Sequence, residues 1–422
     1  MPTAVAAPPA AHPRTKMFVL LGALTSVGPL AIDLYLPALP RLAHDLGTDA
    51  SAAQLSLTAF MVGLGTGQVI AGPLSDAFGR RRPLLAGLAA FAAVSLLCAF
   101  APRVDVLIAL RLVQGLTAAT GVALTKAVVR DLYTGVEAAR FFTMLMLVTG
   151  LIPLLAPVLG AQLLRVTPWP GLFVAMAAAG ALLWLIAILR LPETHPVEAR
   201  VASRPGAVLR ALVTVGRDRR FLAFTLTAGC ASGAQFSYLS GSSFVFQEVY
   251  GLSPQGYSAL FAVNAIGMIA SGQIAGRLAG RVRMRTILAA GLGISGAAGL
   301  LVLAAVVFGF GIGVVSPAFF LMVAGQGLIY PMALTLAMSS QPTSRAGSAS
   351  ALFGLVQWVT GGICGPISGA FGPGTALPLA LTVAVLGVAA CVVGRLTITG
   401  SCVPEPTSGG PPPRAALPDP LP

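Results

Sequence analysis

The chain has 422 residues, 56% hydrophobic and 9% charged, far more apolar surface than a water-soluble core of this length can hide. Its formal net charge of +13 would suit a nucleic-acid partner, but such binders gather their bases on a polar, soluble domain and the sequence has none, so no nucleic-acid partner is expected. Five scattered cysteines without a CxxC pair, and His12, His44 and His195 in a tail or in loops, exclude a disulfide framework and a metal cluster, so no cofactor is expected.

Arg14 and Lys16 precede the first apolar run, but that run continues through Pro29 and Asp33 without a short h-region and cleavage site. It reads as a retained first span and not as a signal peptide. Runs of about 20 residues, enough to cross a bilayer, fall at 17–40, 53–74, 83–101, 104–129, 138–165, 170–190, 221–247, 256–280, 286–308, 314–338, 346–370 and 374–397. An all-α polytopic membrane protein with about twelve transmembrane helices follows. Its organisation is a cytoplasmic tail (1–16), a six-helix bundle (17–190), a central loop (191–220), a second six-helix bundle (221–400) and a disordered Pro/Gly-rich tail (401–422). Glycine and proline inside the fifth and eleventh runs mark these as candidates for broken helices.

Loop arginines set the orientation. Arg80, Arg81, Arg82, Arg130, Arg140, the arginines of the central loop, Arg277, Arg281, Arg283, Arg285, Arg345 and Arg395 fall on the side of the N-terminus; only Arg41, Arg103 and Arg165 fall on the other. Positive charge inside then places both termini in the cytoplasm and the protein in the plasma membrane. The halves also echo each other: "RLVQGL" at 111–116 matches "VAGQGL" at 323–328, and "LVTG" at 147–150 matches "WVTG" at 358–361. Nearly equal offsets in corresponding spans indicate an internal six-span repeat.

Three stretches carry chemistry. In the first span, "PLAIDLYLPALP" places Asp33 about seven residues, roughly 10 Å, from the outer end. The fourth span opens with Arg111 at a similar depth in "RLVQGLTAATG". An intramembrane arginine costs about 2.5 to 3.5 kcal/mol on insertion scales and needs a partner or a wet cavity. A proton-coupling pair of Asp33 and Arg111 is therefore expected, the alternative being that Asp33 only staples the helix end and Arg111 snorkels. Lys126, a turn from Arg130, reads as snorkelling. Between the second and third spans, "GPLSDAFGRRRPLL" is a tight turn in which Asp76 caps a helix or pairs with an arginine. The fifth span holds Pro153, Pro157 and Gly160 in "TGLIPLLAPVLGA". Polar and aromatic residues on otherwise apolar runs, namely Tyr35, Gln68, Gln114, Gln235, Tyr238, Asn264, Gln326, Tyr330, Gln357 and Trp358, are cavity candidates, with interhelical hydrogen bonding as the competing reading.

The turn matches the signature loop of the major facilitator superfamily at Gly72, Leu74, Asp76, Gly79, Arg80 and Arg81, with Ala77 where a basic residue is usual. Arg111 to Gly115 resembles the R-x-x-Q-G element of its proton-coupled members. Pro153, Pro157 and Gly160 resemble its antiporter motif, with Ala156 and Ala161 in place of two glycines; "LPETH" at 191–195 is a further common feature. With "AIDLYLPALP" and "VVRDLY", which includes Asp131, the chain resembles the Bcr/CflA group of drug-resistance transporters. That resemblance implies the major facilitator fold and a monomeric exporter of small antibiotics such as bicyclomycin or phenicols, driven by inward proton flow. It also implies a conformational role for the Asp76 loop. A sugar or metabolite transporter of the same fold and a non-transporting membrane scaffold are the alternatives. An enzyme is not expected, since no His/Cys/carboxylate constellation lies within the spans. With Arg111 beside Asp33, the cavity would carry little surplus negative charge, and neutral or weakly charged substrates are expected.

Overall fold

The computed structural model describes residues 14–133, 135–197, 200, 205–342, 345–367 and 375–400. The two tails lie outside them. Twelve long helices are α1 (Arg14–Asp33), α3 (Ala50–Phe78), α4 (Arg81–Ala99), α5 (Val104–Leu132), α6 (Gly135–Leu163), α7 (Pro170–Arg190), α9 (Arg219–Phe244), α10 (Pro254–Leu278), α11 (Met284–Val307), α12 (Ile312–Ser339), α13 (Ala346–Ile367) and α14 (Leu377–Gly400). Two shorter helices, α2 (Leu39–Asp45) and α8 (Pro205–Gly216), occupy loops. A bilayer leaves the backbone no water to bond, so helices that satisfy their own N–H and C=O groups are the solution for such a chain. Loop ends are closed by side chains: Asp49 accepts from the Ala52 amide at 2.7 Å, and Asp218 from the Arg220 and Phe221 amides at 2.8 and 3.1 Å.

Ten helices among the described residues are long and apolar enough to span a membrane. α9 falls short because Thr, Ser and Gly interrupt it, yet most residues from Phe221 to Phe246 are buried. Small polar residues suit a helix wrapped by other helices and not by lipid. In α6, Pro153 and Pro157 lie within one continuous helix, so the break considered for the fifth run does not occur. The first span ends earlier than expected. α1 stops at Asp33, and a 3₁₀ turn at Leu36–Ala38 follows, because Pro37 and Pro40 lack the N–H that would continue the helix.

α3 packs along α5, α4 along α7, and α1 against α5 and α6; in the second half α10 packs along α12, α11 along α14, and α9 against α12 and α13. The same pairings thus recur in two six-helix bundles, which meet along α3–α13 and α6–α10. Glycine makes the equivalent crossings. A Cβ on Gly115 would stand 2.1 Å from the Phe60 carbonyl oxygen, and one on Gly327 2.2 Å from that of Met268, so both backbones approach closely only without side chains.

The side where α1 begins and α14 ends carries most of the arginines and is termed the basic side. On the opposite side the bundles are stitched together. Ser51 and Thr58 donate to the carbonyls of Pro366 and Gly362 at 3.1 and 2.6 Å. Gln255 and Ser258 donate to Ala161 and Pro157 at 2.8 and 3.0 Å. Ser243 and Gln247 donate to Leu36 and Pro37 in the turn after α1 at 2.7 and 3.2 Å. Toward the basic side α3 and α13 diverge. A Cβ on Gly65 would touch Trp358 at 3.2 Å, whereas nothing lies within 4 Å of one on Gly72, two turns along the same face, or on Gly354 and Gly347. Among the described residues the hydrogen bonds between the bundles therefore lie on the far side, and α3 and α13 draw apart toward the basic side.

Candidate functional site

Where the bundles meet, a cavity of about 220 Å³ is lined by α1, α6, α9, α10, α12 and α13. Asp33, at the last residue of α1, contributes the carboxylate and is only 4% exposed. Among the described residues no hydrogen bond or ion pair reaches its side chain. The remaining wall comes mostly from the second bundle: Gln235, Tyr238, Asn264, Tyr330, Gln357 and Trp358 all line it. Asn264 donates to the Tyr238 hydroxyl at 2.6 Å, Tyr238 stacks on Phe261 with centroids 5.8 Å apart, and Phe236 tilts against Trp358 at 5.3 Å. Among the described residues the Gln235 Oε1 has no hydrogen-bond partner, and the Tyr330 hydroxyl sits beside Ser232 and Gln357 without bonding geometry to either. An aromatic chamber with a few unspent polar atoms and one acid suits a compact lipophilic molecule.

Four cavity candidates lie outside this lining. The Tyr35 hydroxyl bonds Ser56 at 2.6 Å, Gln114 donates to Ser95 at 2.7 Å, and Gln326 donates to Ser295 at 3.1 Å. Each is fully buried between helices of its own bundle and makes an interhelical hydrogen bond there. Gln68 donates to the Leu64 carbonyl at 3.3 Å and is likewise absent from the cavity lining.

Arg111 is fully buried, but it does not pair with Asp33 in this state. Its Nη1 donates to Gln114 Oε1 at 2.6 Å and its Nη2 to the Ala31 carbonyl at 3.1 Å. The guanidinium carbon lies 4.3, 5.0 and 5.7 Å from the ring centroids of Phe60, Tyr35 and Phe173, and such faces stabilise a cation by about 0.5 to 2 kcal/mol. The cause is angular: two residues separate Ala31 from Asp33, about 200° around the helix, so when the one faces α5 the other faces the cavity. Arg111 therefore anchors the end of α1 and does not sit against the Asp33 carboxyl group.

The proline-glycine stretch of α6 is the seat of this helix end. Pro153 lines the cavity. The Pro157 carbonyl accepts from Ser258 across the bundle interface. A Cβ on Gly160 would lie 2.1 Å from the Leu34 carbonyl oxygen, so only glycine lets the turn after Asp33 rest there.

At the basic side, Asp76 and Asp131 converge on Arg80, at 2.5 and 2.9 Å, and Ser75 accepts from the same guanidinium at 2.7 Å. Burial disfavours the Arg80 charge, but hydrogen bonds and charge from Asp131 and Asp76 outweigh it and raise its pKa. Gly79 turns the chain with φ +87°, and Glu193 of "LPETH" accepts from the Arg80 and Arg81 amides at 2.8 and 3.2 Å. Glu193 thus satisfies amides at the start of α4 and ties the chain after α7 to the turn, a role its sequence position did not reveal. Gly72, at the open face of α3, makes no such contact. Lys126 is exposed.

The sequence model of the Major Facilitator Superfamily matches residues 21–366. An uncharacterised transporter of this type from Bacillus subtilis (strain 168), YdgK, is 39% identical over 93% of this chain and 96% of its own. A bicyclomycin resistance protein homologue of Haemophilus influenzae is 30% identical over 90% of this chain and 94% of its own. A chloramphenicol resistance protein of Pseudomonas aeruginosa is 32% identical over 65% of each. Among solved structures, a bacterial homologue of the human lysosomal transporter Spinster superposes with a TM-score of 0.74 at 15% identity, over 94% of this chain and 100% of its own. Twelve long helices paired alike in two bundles, a cavity between them and these full-length likenesses lead to one conclusion: the chain belongs to the Major Facilitator Superfamily and is a membrane transporter, not an enzyme.

Proposed function

We propose that this protein exports small antibiotics or other toxic lipophilic compounds from the cytoplasm in exchange for protons. It works in the plasma membrane with the basic side inward and needs no cofactor beyond the proton. One chain suffices, since a single chain supplies every wall of the cavity. The observation that carries this reading is the placement of Asp33: an intramembrane carboxylate without a partner among the described residues, in the wall of the inter-bundle cavity. Such an acid is functional by default. The resistance relatives supply the substrate class.

The geometry suggests how coupling works. Asp33 stands directly before the turn whose Leu36 and Pro37 carbonyls hold the far-side closure to α9. With the basic side open, Asp33 gives up its proton to the cytoplasm and substrate occupies the chamber beside it. With the far side open, a proton from outside replaces the substrate. Arg111 fixes the end of α1 through the Ala31 carbonyl, so a change at Asp33 is transmitted to the turn and not absorbed by fraying. Proton and substrate use one site in alternation, which is what exchange requires.

Reconstituted vesicles test this. Asp33→Asn is expected to abolish export driven by a pH gradient, by about a hundredfold or more, while substrate binding in detergent stays within a few-fold and no longer releases protons. Undiminished pH-driven export by that variant would remove the coupling role from Asp33.

A further inference from the structure

α8, in the segment between the bundles, presents three faces. Val215 is fully buried, Ala211 and Leu212 are half-buried, and the helix packs on α9 and α13, with Leu352 3.5 Å from the Cβ position of Gly216. Leu209 and Val213, one turn apart on the next face, are 63% and 45% exposed. Arg210, Thr214 and Arg217 occupy the third face, all exposed, and exposed Arg219 and Arg220 follow at the start of α9. Protein burial accounts for the first face only.

Depth decides what meets the other two. Leu352 lies six residues into α13, about 9 Å along that helix from its end, so the last turn of α8, at Gly216, sits against the flank of α13 and not beyond its tip. That is the level of the boundary between headgroups and acyl chains, where amphipathic helices bury an apolar edge by about 5 to 10 Å. An apolar edge beside a row of arginines matches acyl chain beside anionic headgroup. Neutral lipid would leave the arginines unmatched, and water would leave Leu209 and Val213 exposed.

We propose that α8 is an anionic-phospholipid site: Leu209 and Val213 insert among acyl chains, and Arg210, Arg217, Arg219 and Arg220 gather the headgroups of anionic lipid at the end of α13 that borders the open side. Basic residues at a membrane surface each favour anionic lipid, so four together concentrate it locally. This surface lies outside the cavity and its role does not depend on what is exported.

The test places a reporter on the apolar edge of the full chain. Val213→Trp protein is put in nanodiscs holding equal fractions of dibrominated phosphatidylglycerol or dibrominated phosphatidylcholine, and quenching beyond that of the parent's own tryptophans is read. Phosphatidylglycerol is expected to quench at least about twofold more, and 0.5 M salt is expected to shrink the difference. Adding R210Q/R217Q/R219Q/R220Q should abolish the preference, whereas R281Q/R283Q, in the α10–α11 turn, should leave it. Equal quenching by the two lipids overturns the proposal. So does a control pair that removes the preference equally well, which assigns it to bulk charge. Absence of quenching by either lipid also overturns it, because α8 then faces water or another protein. The salt comparison needs no arginine variant, so the idea stays testable if the quadruple substitution fails to fold.

Discussion

The two bundles share a frame and divide the chemistry. In the first, Gln114 of α5 bonds Ser95 of α4; in the second, Gln326 of α12 bonds Ser295 of α11. Gly115 and Gly327 make matching close crossings, and Ser51 to Pro366 and Ser258 to Pro157 are matching bonds across the interface. At the position of Arg111, however, the second bundle has Val323, and its turn "GRLAGRVRMR" has no acid where the first has Asp76. Asp33, Arg111 and the Asp76–Arg80–Asp131 network all lie in the first bundle, while the second supplies most of the aromatic and amide wall. The difference teaches that duplication kept the hinges and crossings, which both halves need. Buried charge is costly in a membrane, and among the described residues the buried charged side chains, Asp33, Arg80 and Arg111, all sit in the first half.

The frame is the first thing to break. Gly115→Ala and Gly327→Ala each force a methyl into a backbone carbonyl, and overpacking of this kind costs about 1 to 3 kcal/mol. Thermal unfolding in detergent should show similar losses for the two. A large loss for one and none for the other would mean that the frames are not equivalent. The division of labour is sharpened next by Trp358→Ala, which removes one wall of the chamber. It should weaken binding of an aromatic substrate by about tenfold and leave the number of protons released per bound molecule unchanged. A change in proton number would move part of the coupling into the second bundle. The smallest effect belongs to Asp76→Asn. It loosens a partly exposed ion pair, worth up to about 1 kcal/mol, so export should slow a few-fold with binding in detergent intact. Binding lost in proportion to export would place the loop at the substrate site.

Much of this could be read from the residues alone. Apolar runs gave the helices, arginines singled out one side, and the buried acid announced itself by its cost in a bilayer. What escaped depends on angles and partners. Spacing sets Asp33 and Arg111 at a similar depth, but depth does not say that Ala31, about 200° from Asp33 on α1, meets Arg111. Gln114, Gln326 and Tyr35 look like Gln235 and Tyr238 in sequence. They are excluded from the cavity because a serine on a neighbouring helix meets each of them, and that pairing exists only after the helices pack. Glu193 was passed over because its partners, the amides of Arg80 and Arg81, lie more than a hundred residues away. The lipid-facing edge of α8 was hidden because a loop rich in arginine reads as solvent-exposed.

The far-side stitching has a further consequence. Each of its bonds runs from a serine, threonine or glutamine side chain to a backbone carbonyl, so neither partner carries formal charge. A membrane voltage acts on charge displaced through the field, at about 2.3 kcal/mol per elementary charge per 100 mV, and breaking a neutral bond displaces none. Nor can salt screen it, and water entering the gap can rebond every freed group at a net cost of only about 1 kcal/mol each. The far-side closure should therefore open and close at rates indifferent to voltage and ionic strength, and under the proton coupling proposed above the membrane potential acts through the proton at Asp33.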